Sequence, residues 1–222
     1  MRAWVKSLLV AVMAVVAMPA LAQETYQEGV HYDLITPNIQ TGISDRVVVT
    51  EFFSYGCGHC FNFEPMLAAW EKRQPENIVV QRSPIAWNAG ARLLAKVYYT
   101  AVVLDAMDPM HDAIFRAIHL QRKRLATPEA FRAVFVDNGI DAGEFDKAFD
   151  SFGVNSMVRQ ADARMRGARI NGTPSLMVNG KYRIDTRKAG SQANMLKIAE
   201  FLAEKELSRI NQSAAAAEKS AG

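Results

Sequence analysis

The chain has 222 residues, a formal net charge of +3, 22% charged and 50% hydrophobic residues, and two cysteines. So slight a charge without a basic run argues against nucleic acid or membrane-surface binding as the main task, and two cysteines do not make a disulfide framework. The core must hold the fold unaided, and the length suits one domain, or one domain with an insertion.

Met1 to Ala22 reads as a secretory signal. Arg2 and Lys6 give a positive start, Leu8 to Val16 an apolar core, and Ala20-Leu21-Ala22 a small-x-small cleavage site before Gln23. The apolar stretch is too short to span a membrane comfortably, and no later segment is long or uncharged enough. Loss of Arg2 and Lys6 takes the net charge from +3 to +1, because the segment contains no acid. The mature chain is therefore expected to be exported and soluble.

Val30 to Ile35 alternates polar and apolar residues and predicts an edge strand ended by Pro37. Val47 to Phe53 is more continuously apolar and β-branched, the pattern of a central strand covered on both faces. Glu51 is its odd member. At period two it shares a face with Val47, Val49 and Phe53. The pattern alone allows either a carboxylate that escapes to solvent near the strand end or a desolvated carboxyl able to exchange a proton with a neighbour.

A turn of small residues then leads into Cys57-Gly58-His59-Cys60, and a helical pattern continues through Phe61, Phe63, Met66, Leu67 and Trp70, with Pro65 expected to kink it. Cys57 is thereby placed at a helix N-terminus, where unpaired N–H groups and the positive end of the dipole favour a thiolate. Cys60 lies about one turn later, close enough for a disulfide. A zinc site would need further ligands from His31, His59, His111 and His119, which lack paired spacing. A purely structural bridge over so short a loop would contribute only about 2 kcal/mol. Redox chemistry fits the pair best.

Asn77 to Arg82 is the next strand, which closes a βαβ unit. From Ala91 the pattern turns helical. Asp108-Pro109 interrupts it, Thr127-Pro128-Glu129 restarts it with a cap and a proline at the first helical position, and Asp141-x-x-Glu144 resembles a capping box. The aromatic and methionine residues of this block read as core, and His111 and His119 as helix-surface residues without a chemical role. A helix from about Val154 to Arg166 leads to Gly172-Thr173-Pro174 and to Asn179-Gly180, a strong hairpin signal between two strands. An amphipathic helix near Gln192 to Leu207 follows, and residues 211–222 have the composition of a disordered tail. The acceptor sequences at Asn171 and Asn211 are taken as chance matches to the glycosylation pattern.

Strand, C-x-x-C helix, strand, helical block, then Thr-Pro, hairpin and helix is an order that resembles the thioredoxin superfamily. Three blocks narrow it to the DsbA family of periplasmic thiol:disulfide oxidoreductases: Glu51 to Cys60, Phe131 to Gly139, and Gly172-Thr173-Pro174 running into Val178 to Tyr182. The resemblance implies an α/β, thioredoxin-like fold with an inserted all-helical domain. The expected division is a signal peptide at 1–22, thioredoxin-like parts at 23–88 and 156–210, a helical insertion at 89–155 and a tail at 211–222. It implies that Cys57 is the nucleophile, Cys60 the resolving thiol, Gly58 and His59 tuning residues and Glu51 the buried acid. Pro174 would be a cis-proline facing the disulfide, offering substrate contacts together with Thr173. The family's best-known members carry proline where this chain has Gly58, whereas Cys-Gly-His-Cys is the pairing of protein disulfide isomerase.

The activity so implied is donation of the Cys57-Cys60 disulfide to unfolded exported proteins with free thiols. A DsbB-like, quinone-linked membrane protein would reoxidise a monomeric enzyme that has no cofactor and no metal and binds no nucleic acid. The competing activities are a reductase or isomerase of the same compartment, and a peptide-binding chaperone without redox chemistry. Isomerases of the related exported kind usually have an N-terminal dimerisation domain, and only a short segment precedes the first strand here.

Overall fold

The computed structural model describes residues 26–221. The expected signal segment lies outside the described residues. Among them, no helix is long and apolar enough to cross a membrane.

Five strands form one mixed sheet: β1 (Asp33–Leu34), β2 (Val47–Phe53), β3 (Ile78–Pro84), β4 (Ser175–Val178) and β5 (Tyr182–Asp185), in the order β1-β5-β4-β2-β3. β2 pairs in parallel with β3 and antiparallel with β4, and all seven of its residues are buried. The apolar, β-branched run thus occupies a covered position, as its composition requires. The alternating run expected at Val30 to Ile35 contracts to the two-residue edge strand β1, which pairs with β5. Its neighbours are held instead by single bonds, such as Ile35 N–H to the Lys181 carbonyl at 2.7 Å.

The helix α1 (Gly58–Glu71) links β2 to β3 and continues through Pro65, which lies on its exposed side. Phe63, Leu67 and Trp70 of α1 join Met195, Ile198 and Leu202 of α8 (Gln192–Ala221) over one sheet face. On the other face Phe52 and Met177 pack on Ala91 and Met165.

The helical block comprises α2 (Ala89–Val103), α3 (Met107–His119), α4 (Pro128–Asp137), α5 (Ala142–Phe149) and the start of α6 (Phe152–Gly167). The caps read from the sequence form: Thr127 accepts from Ala130 N–H at 3.3 Å, and Asp141 from Glu144 N–H at 3.0 Å. Asp108 breaks helical geometry before a cis Asp108-Pro109 bond, where the pattern was interrupted.

Two expected boundaries move. The one at 155 falls inside α6, because Val154, Val158 and Ala161 pack in the helical core while Met165 packs under the sheet. The tail expected to be disordered from residue 211 continues α8 to Ala221. Its alanines and its Glu and Lys are strong helix formers that extend a helix already nucleated, which avoids the costly first turn. The short α7 (Thr186–Ala189) leads from β5 to α8.

The hairpin forms at Asn179-Gly180, both with positive φ (50° and 68°), the requirement of a tight primed turn. A Cβ on Gly180 would stand 1.8 Å from the Ile39 carbonyl oxygen, so the close approach of a loop backbone also demands glycine.

Candidate active site

The end of β2 delivers Cys57 to the N-cap of α1, with extended backbone angles (φ −95°, ψ 113°). Its sulfur takes the place that a Ser or Asp side chain usually fills, accepting from the Cys60 N–H at 3.2 Å. The cis Thr173-Pro174 bond brings the Thr173 carbonyl oxygen to 3.5 Å from the same sulfur. Sequence positions more than a hundred residues apart therefore converge on one atom.

Both cysteines are free thiols in unequal surroundings: Cys57 is half-buried and Cys60 is buried. The Cys57 pKa falls to about 5. A hydrogen bond from the Cys60 thiol is the largest influence, burial opposes it, and the Thr173 side chain and the N–H groups of Cys60 and His59 add to it. Burial, followed by the hydrogen bond and charge of Cys57, pushes the Cys60 thiol far up. One sulfur is built to carry charge and its neighbour to keep a proton.

Glu51 is 1% exposed, and neither carboxyl oxygen has a hydrogen-bond partner. The strand period, and not escape to solvent, decides its position. Burial and then the Glu64 carboxylate push its pKa well up, against the pull of Arg82. Burial therefore favours its protonated form, set in the core near the thiols. Arg82 is occupied by Glu64, with contacts of 2.6–3.2 Å to both carboxylate oxygens, and by Glu71 at 3.2 Å. Glu64 itself is raised by burial but brought down to about 2 by His111 and Arg82.

Gly58 and His59 are exposed on the first turn of α1. Nothing lies within 4 Å of a Cβ built on Gly58. The His59 carbonyl accepts from Gln192 Nε2 at 2.7 Å, which ties the motif to the start of α8. Among the described residues, no group of three or more His, Cys, Asp or Glu side chains could hold a metal ion.

The model of the DSBA-like thioredoxin domain matches residues 48–197. This chain belongs to that family. The thiol:disulfide interchange protein DsbA of Bordetella parapertussis is 37% identical over 196 residues, 87% of this chain and 93% of that protein. The crystal structure of Pseudomonas aeruginosa DsbA superposes with a TM-score of 0.80 at 30% identity, covering 84% of this chain and 97% of that one. A Proteus mirabilis DsbA variant, 26% identical with a TM-score of 0.69 over 82% of this chain and 98% of its own, was solved with a non-covalently bound peptide. The thioredoxin-like fold with its helical insertion is thus the DsbA fold.

All seven residues singled out in the sequence lie in or against one region of this DsbA-family chain: Glu51 beneath the motif, Cys57 to Cys60 on it, and Thr173 and Pro174 across from it. Sequence reasoning missed His111 and His119, which it placed on a helix surface. His111 Nδ1 lies 2.9 Å from the Tyr55 hydroxyl and its Nε2 3.2 Å from Glu64, and His119 Nε2 lies 2.7 Å from the Tyr55 carbonyl oxygen. The available signal was spacing: His111, Phe115 and His119 recur at every fourth residue and so share a face. Tyr55, Arg82 and Gln192 had no such signal, since their partners are distant in sequence.

Proposed function

We propose that this protein is a thiol:disulfide oxidoreductase that donates its Cys57-Cys60 disulfide to exported proteins. The observation that carries the reading is the asymmetry of the pair, a Cys57 pKa of about 5 beside a Cys60 thiol pushed far above the usual range. Stabilising the Cys57 thiolate stabilises the reduced enzyme. Each pKa unit contributes about 1.4 kcal/mol, equivalent to about 30 mV of oxidising power for a two-electron couple. Both the family and the peptide-bound relative support a protein or peptide thiol as substrate.

In the forward reaction a substrate thiolate attacks the Cys57 sulfur of the oxidised enzyme. The Cys57-Cys60 bond breaks, Cys60 departs with the electron pair and takes a proton, and a mixed disulfide joins substrate to Cys57. Glu51, its pKa raised by burial and close to the pair, relays a proton from solvent to Cys60 and back out again on reoxidation, so that it is protonated again after each half-reaction. A second substrate thiolate then attacks the substrate sulfur, and Cys57 leaves as its stable thiolate. The substrate gains a disulfide, and the enzyme keeps two electrons and one proton on Cys60. Thr173 and Pro174 offer backbone contacts to an extended substrate segment beside Cys57. Gly58 and His59 set how far the motif favours the thiolate.

The matching compartment is the periplasm, reached through the segment 1–22. A DsbB-like membrane protein that passes the electrons to quinone would reoxidise the monomer. The test is equilibration of Cys57/Cys60 with glutathione, together with the pH dependence of Cys57 alkylation. We expect an oxidising pair and an alkylation midpoint near 5. A potential near that of thioredoxin, or a midpoint in the ordinary thiol range, would instead assign a reductase.

A further inference from the structure

The helical block has a direct hold on the cysteine loop. Three α3 side chains one turn apart grip Tyr55, the residue two before Cys57. The His111 Nδ1 lies 2.9 Å from its hydroxyl, the Phe115 ring lies edge-on at 4.9 Å between centroids, and the His119 Nε2 lies 2.7 Å from its carbonyl oxygen. Because a carbonyl only accepts, that His119 nitrogen carries the hydrogen and donates it. The same His119 ring stacks on Phe61, the residue directly after Cys60, with centroids 5.0 Å apart and planes inclined by 15°. One side chain thus touches the chain on both sides of Cys57-Gly58-His59-Cys60.

We propose that His119 is a positioning residue for the thiol chemistry, clamping the motif from both ends and so fixing the Cys60 N–H against the Cys57 sulfur. Two observations make the contact more than helix packing. The Tyr55 carbonyl lies in the turn between β2 and α1, outside any strand ladder, and His119 satisfies it in place of a backbone donor. The 3.2 Å bond from Cys60 N–H to Cys57 Sγ depends on the relative placement of the residues on either side of it, which are those that His119 holds. If Tyr55 and Phe61 move apart, the N-cap bond to the sulfur lengthens, and a charge-assisted hydrogen bond weakens steeply with distance and angle. The helical domain would then set the reactivity of a cysteine on the thioredoxin-like domain. Phe61 would serve as the pad against which the histidine ring is pressed, and His111 would hold the Tyr55 side chain in the same register.

The proposal rests on the oxidoreductase reading, and the experiment separates the two. Cys57 is titrated by thiolate absorbance and alkylation in the full chain and in two variants, with the glutathione equilibrium and Tm measured alongside. His119→Phe keeps a ring on Phe61 and loses the N–H donor. His119→Gln loses the ring and keeps a donor of similar reach. In His119→Phe we expect the Cys57 midpoint to rise by about one unit, a tenfold loss of thiolate below the midpoint, and the glutathione equilibrium to shift toward the disulfide form. His119→Gln should stay near the parent on both readouts. If His119→Phe lowers Tm but leaves the midpoint and the equilibrium unchanged, or if His119→Gln shifts them equally, the positioning role is overturned. A parent midpoint in the ordinary thiol range would overturn the disulfide-donor reading instead, and the shift of each variant relative to the parent would still decide the positioning role.

Discussion

Glu51 sets a stability cost against a chemical use at one residue. A buried carboxyl with no partner for either oxygen costs free energy even when neutral, on the order of 1–3 kcal/mol. Replacing it with a similar-sized apolar side chain removes that cost and the proton relay together. Glu51→Leu should therefore raise the denaturant midpoint while slowing disulfide transfer by about 10²-fold, the lower end of general acid–base contributions. Equilibrium denaturation and stopped-flow transfer to a thiol peptide check the two halves. Loss of both stability and rate would make Glu51 a structural residue. Glu51 also marks the limit of what period two could say: alternation gave it a face of β2, but only the packing that buries both faces of that strand decided its burial. The two cysteines needed less, since three-residue spacing after a strand already put one sulfur at a helix start.

At the level of an element, the first turn of α1 has room that the chain does not use. Gly58 is the first helical residue, where proline is preorganised and its missing N–H is not required, and a Cβ there meets nothing. Gly58→Pro should raise the stability of the oxidised form by about 0.4–1 kcal/mol through the unfolded chain, the reduced form changing further by whatever the motif's preference for the thiolate gains or loses. Thermal unfolding of both forms checks it, and a loss of stability in the oxidised form would mean that the Gly58 N–H has a role. Other elements followed local chemistry just as closely: Thr127, Asp141 and Ser151 each cap a helix through a side-chain oxygen. The far end of α8 departed from expectation because residues that cannot build a core can still prolong a helix that a core has started.

Across the whole molecule, the low Cys57 pKa becomes a difference between redox forms. A thiol whose folded pKa is depressed from the ordinary value, about 8.5, to about 5 contributes stability that is complete above the unfolded pKa. That contribution is lost as pH falls through the folded pKa. Cys60 has the opposite sign, its raised pKa favouring the fold below the ordinary thiol range and losing that contribution above it. Glu51 is present in both forms and largely cancels in the difference. The reduced protein should gain most over the oxidised one near the ordinary thiol pKa of about 8.5, keep part of that advantage at neutral pH and lose it toward pH 5. Paired Tm measurements across this range check it; an unchanging gap would contradict a thiolate-stabilised reduced state.

The sequence alone determined the strand leading into C-x-x-C, the helix caps, the hairpin at Asn179-Gly180 and the Thr-Pro turn, because each depends on residues close together in the chain. Tertiary structure alone decided the burial of Glu51, the meeting of Thr173 with Cys57 and the grip of His111 and His119 on Tyr55. Those contacts join elements separated by a helical block or a sheet, and local propensity carries no information about which distant surface a given side chain will meet once the cores close.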